Sequence, residues 1–201
     1  MMQKSVKWMG AGFGAALVLT AITLLLHGTD NKSTRLALEL TARFSFVLFW
    51  LAYAGGALAS LFRLDALAGR GREFGLAFAS AHLVHIGLVI WLGVLMGRMP
   101  LSGGLLLFFL VVLAFTYLLA LLSFGGAKSL GRLWRPLRFI GMNYILIAFA
   151  RDFVLPVLYP KPAQHNGAHF VAYAPFAAAS IAAPLLVLAA AMRQRAVLKA
   201  D

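Results

Sequence analysis

Residues 74–97 read FGLAFASAHLVHIGLVIWLGVLMG, an apolar run with no Asp, Glu, Lys or Arg and with two histidines, His82 and His85, near its middle. A helix needs about 20 predominantly apolar residues to cross the hydrocarbon core of a bilayer, and this run is long enough. Five more runs of the same kind surround it, at residues 8–27, 41–62, 103–124, 139–158 and 170–192. The connections between them are short, so neighbouring helices run antiparallel. The expected fold is an all-α integral membrane protein, with residues 1–201 forming a single six-transmembrane-helix bundle.

Composition says the same. The chain is 62% hydrophobic and 12% charged, with a mean hydropathy of +0.89, against about half apolar and a quarter charged in a soluble domain. No cysteine is present, which excludes disulfides, thiolate metal sites, iron–sulfur clusters and c-type haem attachment. The net charge of +12 does not mark a nucleic-acid protein, because the basic residues form short clusters between apolar runs. Lys4, Lys7, Arg63, Arg70, Arg72, Lys128, Arg132, Arg135, Arg138, Arg193, Arg195 and Lys199 make twelve on one side of the bundle. Lys32, Arg35, Arg43, Arg98 and Lys161 make five on the other. Basic residues concentrate on the cytoplasmic side, so both termini are expected in the cytoplasm and the chain in a bacterial inner membrane.

Lys4 and Lys7 before the first run also suit a signal peptide. The run is long, however, and has no small-x-small exit before Gly28, so it is expected to remain as a helix. No connection is long enough to fold by itself, so the chemistry belongs to the bundle and its rims. The Gly10, Gly12, Gly14 series, Gly55 with Gly56, and the alanines between 177 and 183 suit close helix packing in lipid.

Five histidines are present: His27, His82, His85, His165 and His169. His85 lies roughly 16 Å into the third helix at 1.5 Å per residue, close to mid-membrane, with His82 one turn nearer the cytoplasm. Ionisable residues at that depth are costly and by default mark a functional site; the plainer alternative is a neutral imidazole bonded to a neighbouring helix. Two histidines at this spacing cannot both ligate one haem from opposite faces, so a second ligand must come from elsewhere. His27, His165 and His169 fall at the outer rim, where His169 is the weaker candidate for a metal and ordinary rim residues are the alternative. Arg151 and Asp152 lie deep in the fifth helix. Adjacent positions on a helix do not face one another, so they are expected to reach different partners, Arg151 meeting a haem propionate or a quinone oxygen. An interhelical structural network is the alternative.

Three features form a recognisable pattern: a Gly75-Leu76 pair ahead of His85, a helix opened by Arg70, Arg72 and Glu73, and a Trp134-Arg135-Pro136-Leu137 entry to the fifth helix. In this order the chain resembles the ferric reductase-like transmembrane family. Within it, the chain is most similar to the small bacterial haem b membrane subunits of YedZ/MsrQ-like type, over roughly residues 40–155. The resemblance implies b-type haem held by histidines of the third and fifth helices. It also implies electrons passing from a cytoplasmic donor to a periplasmic redox partner. His85 matches the third-helix ligand. On the fifth helix the two ligand positions fall on Arg138 and Arg151, and arginine is not a usual iron ligand.

Three readings follow. An electron-transfer subunit would hold haem b through His85, with His82, Arg138 and Arg151 about the cofactor. A bundle of the same plan could take a quinone or lipid, or serve haem-free as a scaffold or partner subunit. A small transporter would use Arg151 and Asp152, although no internal repeat supports it. No flavin domain is present, so the first reading needs a separate flavoprotein or quinol as donor.

Overall fold

The computed structural model describes residues 2–126, 129–160 and 167–200. Among them every long element is a helix: α1 (Met2–His27), α2 (Asn31–Phe62), α3 (Gly71–Met96), α4 (Gly103–Leu121), α5 (Trp134–Leu158) and α6 (Gly167–Ala200). All six are long and apolar enough to cross a membrane. Large apolar side chains such as Leu25, Val94, Leu107, Phe139, Ile147 and Leu188 stand exposed around the outside, as lipid contact requires and water does not tolerate.

The helices outrun the apolar stretches that announce them. α2 begins at Asn31 instead of near residue 41, because Asp30 caps it by accepting from the Ser33 amide at 2.8 Å. The side chain and amide of Ser33 hold the Asp30 carboxyl below its usual value of 3.8. The cap therefore contributes fully above that value, and its contribution is lost as pH falls through the lowered one. α5 begins at Trp134 instead of residue 139, with Pro136 in the first turn, where a missing N–H is harmless. α6 continues to Ala200, well past residue 192. Backbone hydrogen bonding continues through polar residues, so hydropathy does not set these ends.

α2 ends on Arg63, which sits in the left-handed region at φ 58°, ψ 37°. Arg193 of α6 closes the same end by donating to the Ser60 and Leu61 carbonyls at 3.0 and 3.2 Å. Left-handed backbone is strained for a residue with a Cβ, so Arg63→Gly is expected to raise stability by about 0.5–1 kcal/mol after its own entropy cost. A rise in Tm of the detergent-purified protein checks this.

α3 packs on α1 and α2, α2 also on α6, and α5 on α6 and α4, while α3 meets α4 only lightly. Helices α2 to α6 thus surround a centre, with α1 outside it against α3 and α2. That outer contact uses small residues: Ala16 is fully buried, Ser80 Oγ donates to the Met9 carbonyl at 2.8 Å, and Gly12 lies against the backbone of Ala77.

The centre is aromatic. Phe46 and Phe49 of α2, Phe78 of α3, Phe149 and Phe153 of α5 and Phe176 of α6 touch edge-on or stacked, at centroid distances from 5.1 to 6.0 Å. Two polar ties flank it. Trp50 Nε1 donates to the Ala179 carbonyl at 2.8 Å, and the Tyr53 hydroxyl to Asn143 Oδ1 at 2.9 Å.

Candidate functional site

His82 and His85 lie one turn apart on α3, half-buried, with rings nearly parallel at 15° and centroids 5.1 Å apart. They face different neighbours. His85 Nδ1 is 3.1 Å from Thr41 Oγ1 on α2, a residue fully buried in the α2–α3 contact. The Thr41 hydroxyl also lies 2.8 Å from the Ala37 carbonyl and 3.1 Å from the Leu38 carbonyl, so its one hydrogen has three acceptors to choose from. When it goes to a carbonyl, Nδ1 donates to the Thr41 oxygen and Nε2 keeps its lone pair. Thr41 gave no signal in the sequence, because a threonine in an apolar run is usually bonded only to its own helix, whereas this one meets both its own helix and the histidine.

The ring that meets α5 is His82. It lies between Phe78, at 5.4 Å, and Phe149, at 6.5 Å, and its Nδ1 is enclosed without a hydrogen-bond partner.

Arg151 and Asp152 depart from expectation. Instead of reaching separate helices they bind each other, with Arg151 Nη1 donating to Asp152 Oδ1 at 2.8 Å. The adjacent-residue rule concerns Cβ directions, and a side chain as long as arginine bends back across them. The pair stands 38% and 46% exposed on the outer face, and the guanidinium lies 5.8 Å from the Phe109 ring of α4. A charge pair closed on itself in this way screens both members from lipid and leaves Arg151 facing neither histidine.

The remaining candidates are apart from this place. His27 is the last residue of α1, and its carbonyl accepts from the Ser33 hydroxyl at 2.7 Å. His169 lies against Tyr173 with ring centroids 4.5 Å apart and planes tilted by 33°, near the start of α6. His165 and Lys161 lie outside the described residues.

Arg138 leads to a feature the sequence did not announce. It lines a cavity of about 280 Å³ enclosed by the N-terminal turns of α3 and α5, the last turns of α4 and the second half of α2. Arg72 lines it too, with Gly71 and Gly75 leaving room beside it. Neither histidine of α3 reaches this space.

No protein family, curated protein or solved structure matches the chain.

A haem held by both His82 and His85 does not fit this arrangement. Its axial ligands must approach from opposite sides, yet both imidazoles come from α3 and the side of α5 opposite His82 is filled by Phe149. Among the described residues no cluster of three or more His, Asp and Glu side chains comes together for a metal. The arrangement can still offer one directed nitrogen, His85 Nε2.

Proposed function

We propose that the chain is a haem-free partner subunit on the ferric reductase-like plan, seated in the bacterial inner membrane with both termini in the cytoplasm. The observation that carries this reading is the contact of Phe149 with Phe49 and Phe78, at 5.4 and 5.9 Å, in the place where a porphyrin between α3 and α5 would lie. Arginine at both fifth-helix ligand positions agrees with it. The basic excess on the side of Arg63, Arg72 and Arg138 supports the orientation. Such a subunit acts through what it holds in the bilayer and through a second membrane or periplasmic component.

One observation favours a second reading. The Thr41–His85 bond orients an imidazole as a ligand, which suits an electron-transfer subunit with haem b on a single histidine, fed by a flavoprotein or quinol.

Absorption spectra of the purified protein, oxidised and then dithionite-reduced, separate the two. The first reading expects no Soret band and co-purification of a second component. A b-type spectrum that disappears in His85→Ala would replace it with the second.

A further inference from the structure

The cavity beside Arg72 and Arg138 is built for a negative charge attached to a hydrocarbon chain. No acidic residue lines it, and its two hydroxyls are turned away: Thr116 Oγ1 donates to the Val112 carbonyl at 2.9 Å and Ser123 Oγ to the Leu119 carbonyl at 2.8 Å. The donors among the remaining lining side chains are the two guanidinium groups and the Trp134 indole. Arg72 Nε is enclosed with no hydrogen-bond partner. The nearest carboxylate in sequence, Glu73, is engaged by Lys4 at 2.7 Å. Among the described residues neither Arg72 nor Arg138 has an ion-pair partner.

One helix N-terminus adds to this charge. α3 starts at Gly71 with no side-chain cap, and the helix dipole makes such an end attractive to anions. The rest of the lining is apolar, with Phe49, Phe78 and Ile145 as its floor. A neutral quinone head would satisfy hydrogen bonds here but would leave both guanidinium charges uncompensated, whereas a phosphate diester brings one negative charge to be shared between them. Basic pockets between membrane helices at the cytoplasmic face are where anionic lipid headgroups bind.

The geometry points to a binding site for a phosphate-bearing amphiphile, with its phosphate between Arg72 and Arg138 and its chain along the Phe49–Phe78–Ile145 floor. This holds for either reading of His85.

The test uses the full chain in maltoside detergent, stripped of co-purified lipid and followed by native mass spectrometry. Phosphatidylglycerol, inorganic phosphate and ubiquinone are added separately. Phosphatidylglycerol is expected to be retained. Arg72→Gln and Arg138→Gln should each weaken it about tenfold or more, the loss of one charge-assisted hydrogen-bond set. Arg138→Lys should keep most of the binding, and Arg132→Gln, outside the cavity, should keep all of it. If millimolar inorganic phosphate displaces the lipid and stabilises the protein alone, the site stands with a soluble phosphate as its ligand. If phosphate has no effect, the lipid is the ligand. Should the glutamine variants not fold, Gly75→Val narrows the cavity without touching a charge; an added Cβ there meets Ala52 Cβ at an ordinary 3.8 Å. Lipid retention unchanged in folded Gln variants, or in Gly75→Val, overturns the proposal. So does preferential retention of ubiquinone that ignores both arginines.

Discussion

Replacing Gly12 with leucine is expected to push α1 away from α3. A Cβ at residue 12 would stand 2.9 Å from the Cα and carbonyl carbon of Ala77, and backbone in the middle of α3 cannot swing aside as a side-chain tip can. Even an alanine there forces the helices apart, an overpacking cost of about 1–3 kcal/mol. A leucine removes the contact altogether, together with the Ser80 to Met9 hydrogen bond that depends on the same approach. Gly10 and Gly14 are the controls. An added Cβ at either meets nothing within 4 Å, so leucine at those positions should leave stability within about 0.5 kcal/mol of the parent. Thermal unfolding of the three variants in one detergent measures the contrast. Equal loss in all three would mean that α1 does not pack through Gly12.

The same glycines show what the sequence carries and what it withholds. As a series, Gly10, Gly12 and Gly14 announce a helix surface suited to close packing, but only the partner helix decides which of them is pressed. The six spans are legible because the thickness of hydrocarbon translates directly into a count of apolar residues. Their ends are not, since α2 is set by Asp30 and α5 by its Trp134 entry, neither of which hydropathy registers.

The histidines divide in a similar way. Depth follows from counting along α3, so both could be placed near the middle of the bundle. Facing could not. At 3.6 residues per turn His82 and His85 differ by about 60° around the helix, enough to send one ring to Phe149 of α5 and the other to Thr41 of α2. Arg72 was hidden for the opposite reason: within Arg70-Gly71-Arg72 it reads as one more member of a basic cluster. Its separation from the others arises only when Gly71 and Gly75 leave a hollow against α2 and α4.

Phe149→Ala is expected to cost roughly 3 kcal/mol and to give no new cofactor. The ring touches Phe46 and Phe49 of α2, Phe78 and His82 of α3 and Phe153 of its own helix, so its removal opens a void at the meeting point of three helices. For buried Phe→Ala in water-soluble cores the loss is about 3–5 kcal/mol. In a bilayer the transfer part is weaker, because lipid is as apolar as the core, and the void and the lost aromatic contacts dominate. The lower end of that range follows. Unfolding in a denaturing-detergent titration measures it, and the spectrum carries the functional weight. The void borders His82 and not the Nε2 of His85, and α5 offers no nitrogen across from it. Haemin added to Phe149→Ala should therefore bind no better than to the parent chain. A b-type spectrum appearing only in this variant would mean that the phenylalanine alone excludes haem and that the imidazoles of α3 are ligands awaiting space.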